Sequence, residues 1–193
     1  MARTSTTAPK TKQAQEEKEV KEVKPTQPVK EKKSAPRRIP LDLEVPVASN
    51  VNGQLTYVST RVGGLNTEWH EFGSIQYLDI RELLLMRNSQ KRFFTDNWIS
   101  IKDSDDGEFT AEDIYKFLRV DESYGNYYDA DNIDTFFELP PTAMKEMATK
   151  LSNGMKELLT SIALDKFESG EIDSIKKKQA VIDALGINID GED

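Results

Sequence analysis

The sequence predicts an α+β protein: a small antiparallel β module with one short helix, followed by a C-terminal helical region and preceded by a disordered or extended N-terminal arm. Three observations carry this prediction. Charges and prolines dominate residues 1–40, apolar and polar residues alternate between 43 and 59, and apolar residues recur at helical spacing after residue 140. We divide the chain into the segments 1–40, 41–103, 104–139 and 140–193.

The arm, residues 1–40, has a composition that does not favour a hydrophobic core. It holds eleven Lys or Arg, five Glu and five of the eight prolines, and it has no Leu and no aromatic residue. Such a segment cannot bury enough apolar surface to offset the entropy that its ordering costs. We therefore expect the arm to be disordered when free and ordered when a partner binds it.

The remainder of the chain has the opposite charge. Residues 41–193 contain fifteen Lys or Arg and 29 Asp or Glu, a balance of −14, whereas the arm has a surplus of six positive charges. A basic arm on an acidic body indicates that the arm has a partner of its own. A solvated arm or one that binds a protein surface is favoured, because five Glu interrupt the basic residues and no aromatic residue can stack on bases. The alternative is a nucleic acid, because phosphate contacts need only charge.

The counts of Cys and His exclude several chemistries. Cysteine is absent and His70 is the single histidine, so disulfides, thiolate metal sites and multi-histidine sites are excluded. We expect His70 to be a half-buried packing residue on a strand beside Trp69. No apolar run is long enough to cross a membrane, and the N-terminus lacks the apolar stretch of a signal peptide. We predict no cofactor and no membrane partner, and we expect the chain to be made in a reducing cytosol.

The β module begins with two alternating segments. Apolar residues alternate in 43–47 and 55–59, which predicts two strands that each bury one face. The Asn-Gly pair at 52–53 predicts a type I′ hairpin between them. The Gly-Gly pair at 63–64 predicts a second turn, and the stretches "TEWHEF" and "SIQYL" predict further short strands.

A helix and a closing strand are predicted next, in and around "LLLMRNSQKRFFTDNWI", residues 83–99. Asp79, followed three residues later by Glu82, predicts the N-cap of a short helix that ends near Asn88 in the left-handed conformation. The chain should then return as a strand. The apolar residues that we expect to fill this core are Ile80, Leu83, Leu84, Met86, Phe93, Phe94, Trp98 and Ile101.

Basic and tyrosine residues supply the candidate interface. Basic side chains at the turn after the helix are typical of a solvated surface, and the functional alternative is an anion site. The Tyr-rich loop that follows residue 120 is a candidate contact surface, because Tyr is favoured at interfaces. The candidate interface residues are Arg37, Arg38, Arg87, Lys91, Arg92, Tyr124, Tyr127 and Tyr128.

The acidic stretch "KDSDDGEFTAED", residues 102–113, has the appearance of a calcium loop. Its spacing places Lys102 at the first ligand position, but an ammonium cannot bind a cation. It places Asp113 at the twelfth position, where a calcium loop has a bidentate Glu. The stretch therefore predicts a turn followed by a helix that Thr110 caps. We expect Asp129 and Asp131, further along, to be solvated.

Three helices are predicted at the C-terminal end. The first, in "LPPTAMKEMATKL", begins with proline. Ser152 is expected to cap the second helix, which Gly170 ends, and Asp173 to cap the third, which Gly186 ends. The segment "GEID" joins the last two helices, which predicts a helical hairpin. Its apolar face is expected to pack on the β module or on another subunit.

Two stretches together resemble a known group of proteins. The segment "NGQLTYVS…EWHEFGSIQYLDIRELLLMRNSQKRFFTDNWI" and the tail "SGEIDSIKKKQAVIDALGINI" resemble small structural proteins encoded in tailed-phage virion gene clusters. The resemblance covers roughly residues 43–101 and 151–189 and rests on packing and turn motifs. It implies a virion component at the capsid, neck or tail, and it supplies no catalytic residues.

These observations lead to three hypotheses of different classes. The first is a non-enzymatic virion structural protein, assembled in the host cytoplasm, that binds other virion structural proteins or copies of itself in a ring or shell through its arm and β module. The second is a nucleic-acid-associated accessory protein that uses the basic arm. An enzyme is third, because no nucleophile–base pair or metal-binding constellation stands out.

Overall fold

The structure, a computed structural model, describes residues 38–188, and the predictions for the arm before Arg38 lie outside the described residues. The strands are β1 Glu44–Ser49, β2 Leu55–Val58, β3 Asn66–Trp69, β4 Ile75–Asp79 and β5 Ile99–Ile101. The helices are α1 Ile80–Ser89, α2 Arg92–Thr95, α3 Ala111–Leu118, α4 Asp134–Glu138, α5 Pro141–Lys150, α6 Asn153–Glu168 and α7 Ile175–Leu185. Antiparallel sheets followed by a helical region confirm the α+β class.

The strands form two separate sheets. β1 is the centre of a three-stranded antiparallel sheet with the order β4-β1-β5, and β2 pairs only with β3. The predicted hairpin between β1 and β2 is therefore wrong. A type I′ turn needs positive φ at both central residues, but only Gly53 has it and Asn52 does not. The Asn52 side chain instead donates hydrogen bonds to Ser161 Oγ at 2.6 Å and to Asp165 Oδ2 at 3.1 Å.

The turn predicted at the Gly-Gly pair is confirmed, and it joins β2 to β3. The Ser59 N–H donates to the Leu65 carbonyl at 3.0 Å, and Gly63 adopts a φ of 71°. We call β2, β3 and this turn the ribbon. Leu55 and Tyr57 of the ribbon are buried while Thr56 and Val58 are exposed, which confirms one buried face for β2.

The central strand β1 differs from its prediction, because both of its faces are covered. Residues 45–49 are all buried. A proline in a central strand normally removes a ladder hydrogen bond. Pro46 is tolerated because it lies opposite the end of β5, where its carbonyl still accepts the Lys102 N–H at 2.9 Å. The sheet therefore loses one donor only where β5 is ending.

The cap at the start of α1 is confirmed, because the Asp79 side chain accepts the Glu82 N–H at 2.6 Å. The helix ends near Asn88 as predicted, but the predicted left-handed conformation there is wrong. The helix continues to Ser89, and Gln90 ends it with a φ of −134° while its N–H bonds to the Met86 carbonyl. An ordinary C-terminal turn thus satisfies that carbonyl without a left-handed residue.

The segment after α1 is only partly the strand that the sequence predicts. Phe93 and Phe94 are buried as expected, but they lie in the short helix α2. Trp98, expected in the core, is half-buried at its rim and makes an edge-to-face contact with Phe93 at 5.6 Å. β5 begins one residue later.

Two hydrophobic clusters form the core of the described residues. The first joins the strands to α1, α2 and α3, and the second joins α4, α5, α6 and α7. Trp69 lies at the centre of the first cluster, fully buried, and its indole N–H donates to the Val47 carbonyl at 2.8 Å. This bond ties the ribbon to the central strand of the other sheet.

The C-terminal helices follow the prediction with two corrections. Proline opens α5, and Ser152 caps α6 by accepting the Met155 N–H at 3.2 Å, as predicted. The last helix begins after Ser174 and not after Asp173. Ile175, predicted on the apolar face, is 84% exposed because it precedes the buried turn around Val181. α7 packs on both α5 and α6, so the arrangement has three helices and is not an isolated hairpin.

Gly154 in the first turn of α6 allows this helix to approach the β half closely. An added Cβ would lie inside contact distance of the Asp96 carbonyl oxygen and 2.8 Å from the Trp98 ring. We expect Gly154→Ala to lower the free energy of unfolding by about 1–3 kcal/mol, as overpacking does. Urea denaturation measures this change.

Gly125 provides the matched control for this prediction. Its φ is −67°, and an added Cβ would meet nothing closer than the Glu122 carbonyl oxygen at 3.8 Å. Gly125→Ala should therefore be neutral or stabilise by about 0.4–1 kcal/mol. Equal losses in the two variants would contradict the close approach at α6.

Candidate functional site

The predicted interface residues do not form one surface. Arg37 lies outside the described residues, and Arg38 is exposed where the described chain begins. Lys91 and Arg92 are exposed, and Arg87 is half-buried. The basic residues on α1, on α2 and between these helices therefore occupy different surroundings.

Two of the predicted basic residues share a cleft. Arg87 and Lys91 line an open cavity of about 430 Å³ between the ends of α1 and α3, together with Arg119. Phe94 contributes apolar surface to the same cleft, and Glu122 contributes one carboxylate. Arg119 was not among the predicted residues, because it follows α3 and becomes a neighbour only through folding.

The cleft has a defined geometry at both arginines. Arg87 donates from Nη1 to the Leu118 carbonyl at 2.7 Å and from Nη2 to Asn88 Oδ1 at 2.8 Å. Arg119 ends α3 in the left-handed conformation with a φ of 56°, an uncommon state for a residue other than glycine. Since Arg87 is partly engaged by the protein itself, the cleft has fewer free donors than its charge indicates.

Arg92 does not belong to this cleft. Its Nε donates to Asp96 Oδ2 at 2.7 Å, and its guanidinium lies 4.7 Å from the centre of the Trp98 ring. Because Arg92 is largely exposed, this ion pair adds little to stability. The predicted trio thus divides into two residues in a basic cleft and one that covers the rim of the core.

The tyrosines have a role that the sequence analysis did not identify. The Tyr115 hydroxyl accepts the Ile101 N–H at 2.7 Å and donates to the Ile101 carbonyl at 3.3 Å. The Tyr124 hydroxyl donates to the Ile99 carbonyl at 2.7 Å, and the two rings stack at 4.0 Å. Two side chains therefore occupy the outer edge of β5, where another strand would otherwise pair.

The prediction that Tyr124 belongs to a contact surface is therefore wrong. Tyr124 is buried in the first hydrophobic cluster, because its ring packs on Tyr115 and its hydroxyl closes the edge of β5. Tyr127 and Tyr128 are half-buried, so their place in an interface stays a prediction.

An ion-pair group holds the loop that contains these tyrosines. Lys102 Nζ lies 2.7 Å from Asp129 Oδ2 and 2.6 Å from Asp131 Oδ2. Burial by itself would lower the pKa of Lys102, but the hydrogen bonds to the two carboxylates outweigh it and raise that pKa. The expectation that both acids are solvated is wrong for Asp129, which is buried because Lys102 neutralises it.

The loop that resembles a calcium site is held by its own hydrogen bonds. Asp106 Oδ1 accepts from Ser104 Oγ at 2.6 Å and from the Glu108 N–H at 2.9 Å, and these bonds lower the pKa of Asp106. The predicted helix and its Thr110 cap are confirmed, with a full capping box that includes Asp113. Among residues 38–188, no group of three or more His or acidic side chains is arranged to hold a metal ion.

His70 is exposed just beyond the end of β3, so the prediction of a half-buried packing residue is wrong. Its neighbour Trp69 points into the core, and alternation along a strand turns the next side chain outward. Within the described part of the chain, every helix is too short or too polar to span a bilayer.

The buried tyrosines and Lys102 predict how stability changes at alkaline pH. Burial raises the pKa of Tyr115 and Tyr124 above the ordinary value of 10.0. The unfolded chain therefore releases these protons at lower pH than the folded chain does. The same holds for Lys102, because its pKa is raised above 10.5 in the folded chain. The stabilisation is present below about pH 10 and is lost as pH rises, by about 1.4 kcal/mol per pH unit for each proton.

Tyrosinate absorbance and circular dichroism, followed together in an alkaline titration, measure this effect. We expect only some of the six tyrosines to ionise near their ordinary pKa, and the others to ionise together with unfolding. Ionisation of all six before any loss of secondary structure would contradict the buried positions of Tyr115 and Tyr124.

Comparisons of this chain with protein-family models, with curated proteins and with solved structures find no match.

Proposed function

We propose that this protein is a non-enzymatic structural protein of a tailed-phage virion, a capsid, neck or tail component. It binds neighbouring subunits through its arm and its β strands, and it is assembled in the host cytoplasm. The resemblance of residues 43–101 and 151–189 to small virion structural proteins motivates this proposal. The surface of the β half supplies the structural argument.

The observation that carries the proposal is where the apolar surface lies. Within residues 38–188, six of the eight large apolar side chains that are exposed lie between residues 41 and 77. A concentration of exposed apolar side chains in one part of a folded protein is typical of an interaction site. These six residues are Leu41, Val58, Val62, Leu65, Ile75 and Tyr77.

Three of these residues lie at the tip of the ribbon. Val58 ends β2, Leu65 directly precedes β3, and Val62 in the turn between them is 100% exposed. The ribbon is anchored at its other end by the buried Trp69. A fixed ribbon with an apolar tip can insert into a pocket of a neighbouring subunit and gain about 25 cal/mol for each Å² of apolar surface that it buries.

Mass spectrometry of purified virions tests the proposed function. The protein should copurify with the particles at a constant ratio to the major capsid protein through successive gradient steps. A protein that is abundant in the infected lysate and missing from purified particles would contradict the proposal.

The nucleic-acid alternative is supported by the positive surplus of the arm, and it makes a different prediction. Affinity for DNA would fall steeply with salt, because each phosphate contact releases counterions. Under our proposal, the protein shows no such affinity at physiological salt, and particle association persists after nuclease treatment.

A further inference from the structure

The three-stranded sheet has two outer strands, β4 and β5, each with one edge turned away from β1. In an antiparallel pair, alternate residues direct their N–H and C=O groups to the partner strand, and the residues between them face away. The Ser49 N–H donates to the Ser74 carbonyl at 2.9 Å, which fixes this alternation. The backbone N–H and C=O groups of Gln76 therefore point toward β1, whereas those of Ile75 and Tyr77 point away from it.

The two outward edges are treated differently. On β5, the hydroxyls of Tyr115 and Tyr124 bond to the carbonyl of Ile99 and to both the N–H and the carbonyl of Ile101. On β4, no hydrogen bond within residues 38–188 reaches the outward N–H and C=O groups of Ile75 or Tyr77. The fold thus covers one edge of the sheet with tyrosine hydroxyls and leaves the other, which we call the open edge, without a described backbone partner. β3 lies beside β4, and its Glu68 carbonyl accepts the Gln76 side chain at 2.9 Å.

The open edge also carries exposed apolar side chains. Ile75 is 50% exposed and Tyr77 is 49% exposed, and because they are two residues apart they lie on the same face of β4. An edge strand with free backbone groups and apolar side chains can accept a further strand from another chain.

Charge indicates which kind of strand fits this edge. Asp105 Oδ1 accepts the Tyr77 hydroxyl at 3.4 Å near the middle of β4, and Glu44 stands opposite Asp79 in the register at the C-terminal end of β4. Carboxylates therefore lie near the middle and the C-terminal end of the open edge. The complementary occupant is an extended segment with a surplus of Lys.

The arm contains one segment with these properties. Residues 29–35, "VKEKKSA", have three Lys and one Glu and lie between Pro28 and Pro36. They contain no proline, so every residue can donate a backbone hydrogen bond, which proline cannot.

We propose that β4 accepts residues 29–35 of a second copy of this chain as an added strand. This inference rests on the proposed function, because it identifies how the arm binds a neighbouring subunit. Backbone hydrogen bonds to the outward groups of Ile75 and Tyr77 supply the affinity, and the Lys side chains lie near the carboxylates of Asp105, Glu44 and Asp79. The contact is heterologous, and repeated around an axis it closes a ring.

Paramagnetic relaxation in a mixture of two full-length chains tests this proposal. The chain has no cysteine, so Ser34→Cys allows a single spin label in the arm. This labelled chain, without isotopes, is mixed with nitrogen-15-labelled chain that carries no spin label. We expect the strongest signal loss at the amides of Gln76 and Tyr77 and a weaker loss at Ile99 and Ile101, because β5 lies two strands further from the label than β4 does.

Two outcomes of this experiment would overturn the proposal. One is the absence of signal loss at β4 in the mixture at any accessible concentration. The other is signal loss at β4 that appears only when both labels are on the same chain, which would place the arm on its own sheet.

Charged variants of the isotope-labelled chain provide the matched control. Ile75→Lys with Tyr77→Lys places two cations on the open edge and should abolish the signal loss at Gln76. Leu164→Lys with Ile175→Lys adds the same charge at exposed apolar positions on the helices and should leave the signal loss unchanged. An equal effect of both pairs would show a general charge effect and overturn the strand pairing.

The readout separates this proposal from the proposed function. If purified virions contain the protein and the mixture shows no signal loss at β4, only the strand pairing fails. If the mixture shows signal loss at β4 and virions lack the protein, only the virion assignment fails.

Discussion

Replacement of Trp69 with Ala is expected to lower the free energy of unfolding by about 3–5 kcal/mol, as truncation of a large buried aromatic side chain does. The Trp69 ring is fully buried in the first hydrophobic cluster, and its indole N–H bonds to the Val47 carbonyl at 2.8 Å. Its loss removes the contact between the ribbon and the central strand. Urea denaturation followed by circular dichroism measures the change.

Trp98→Ala is the control for this prediction. The sequence alone ranks Trp98 as a core residue, whereas the structure places it half-buried at the rim beside Arg92. Its truncation should therefore cost clearly less than that of Trp69, because less apolar surface returns to water. Losses of the same size would contradict the positions of the two rings.

Replacement of Tyr115 with Phe is expected to destabilise the protein by about 1–3 kcal/mol for each group that it leaves unpaired. The hydroxyl bonds to both the N–H and the carbonyl of Ile101, so two backbone groups lose their partner. The ring itself remains, which keeps the stacking on Tyr124. We expect a lower unfolding midpoint and faster hydrogen exchange at the Ile101 amide.

Tyr128→Phe is the matched control for the hydroxyl effect. Tyr128 is half-buried, and its hydroxyl makes none of the described hydrogen bonds. Removal of that hydroxyl should change stability by less than about 0.5 kcal/mol. If Tyr115→Phe changed the free energy of unfolding equally little, the edge of β5 would not depend on tyrosine for its hydrogen bonds.

Local signals in the sequence predict the elements of the fold well. Asp79, Thr110 and Ser152 cap helices as their side-chain chemistry predicts. The alternation in β2 and the glycines after it correctly place a strand and its turn. In each of these cases the deciding hydrogen bond lies within a few residues of the signal.

Sheet pairing could not be predicted in the same way. The Asn-Gly pair at 52–53 favours a hairpin locally, but the Asn52 side chain bonds to α6, more than a hundred residues away. β1 therefore pairs with β4 and β5, and both of its faces become buried. Tertiary contacts decide this pairing, and no local pattern contains them.

The candidate site was predicted only in part for the same reason. Arg87 and Lys91 were identified and do share a cleft, but Arg119 joins them only because α3 packs against α1. Tyr115 lies on the buried face of α3 beside Leu118, and a tyrosine on an apolar face needs a partner for its hydroxyl. That signal was present in the sequence, but it does not identify the edge of β5 as the partner.

Incorporation of a chain that lacks residues 1–38 into phage particles tests the central claim most directly. The deletion leaves Ile39 and the whole described core in place, so thermal unfolding should match that of the full-length chain. Our account predicts that the truncated protein melts normally and is missing from purified particles, while the full-length protein is incorporated. Incorporation of both proteins at the same level would contradict the account, because the arm would then not hold the subunit in its assembly.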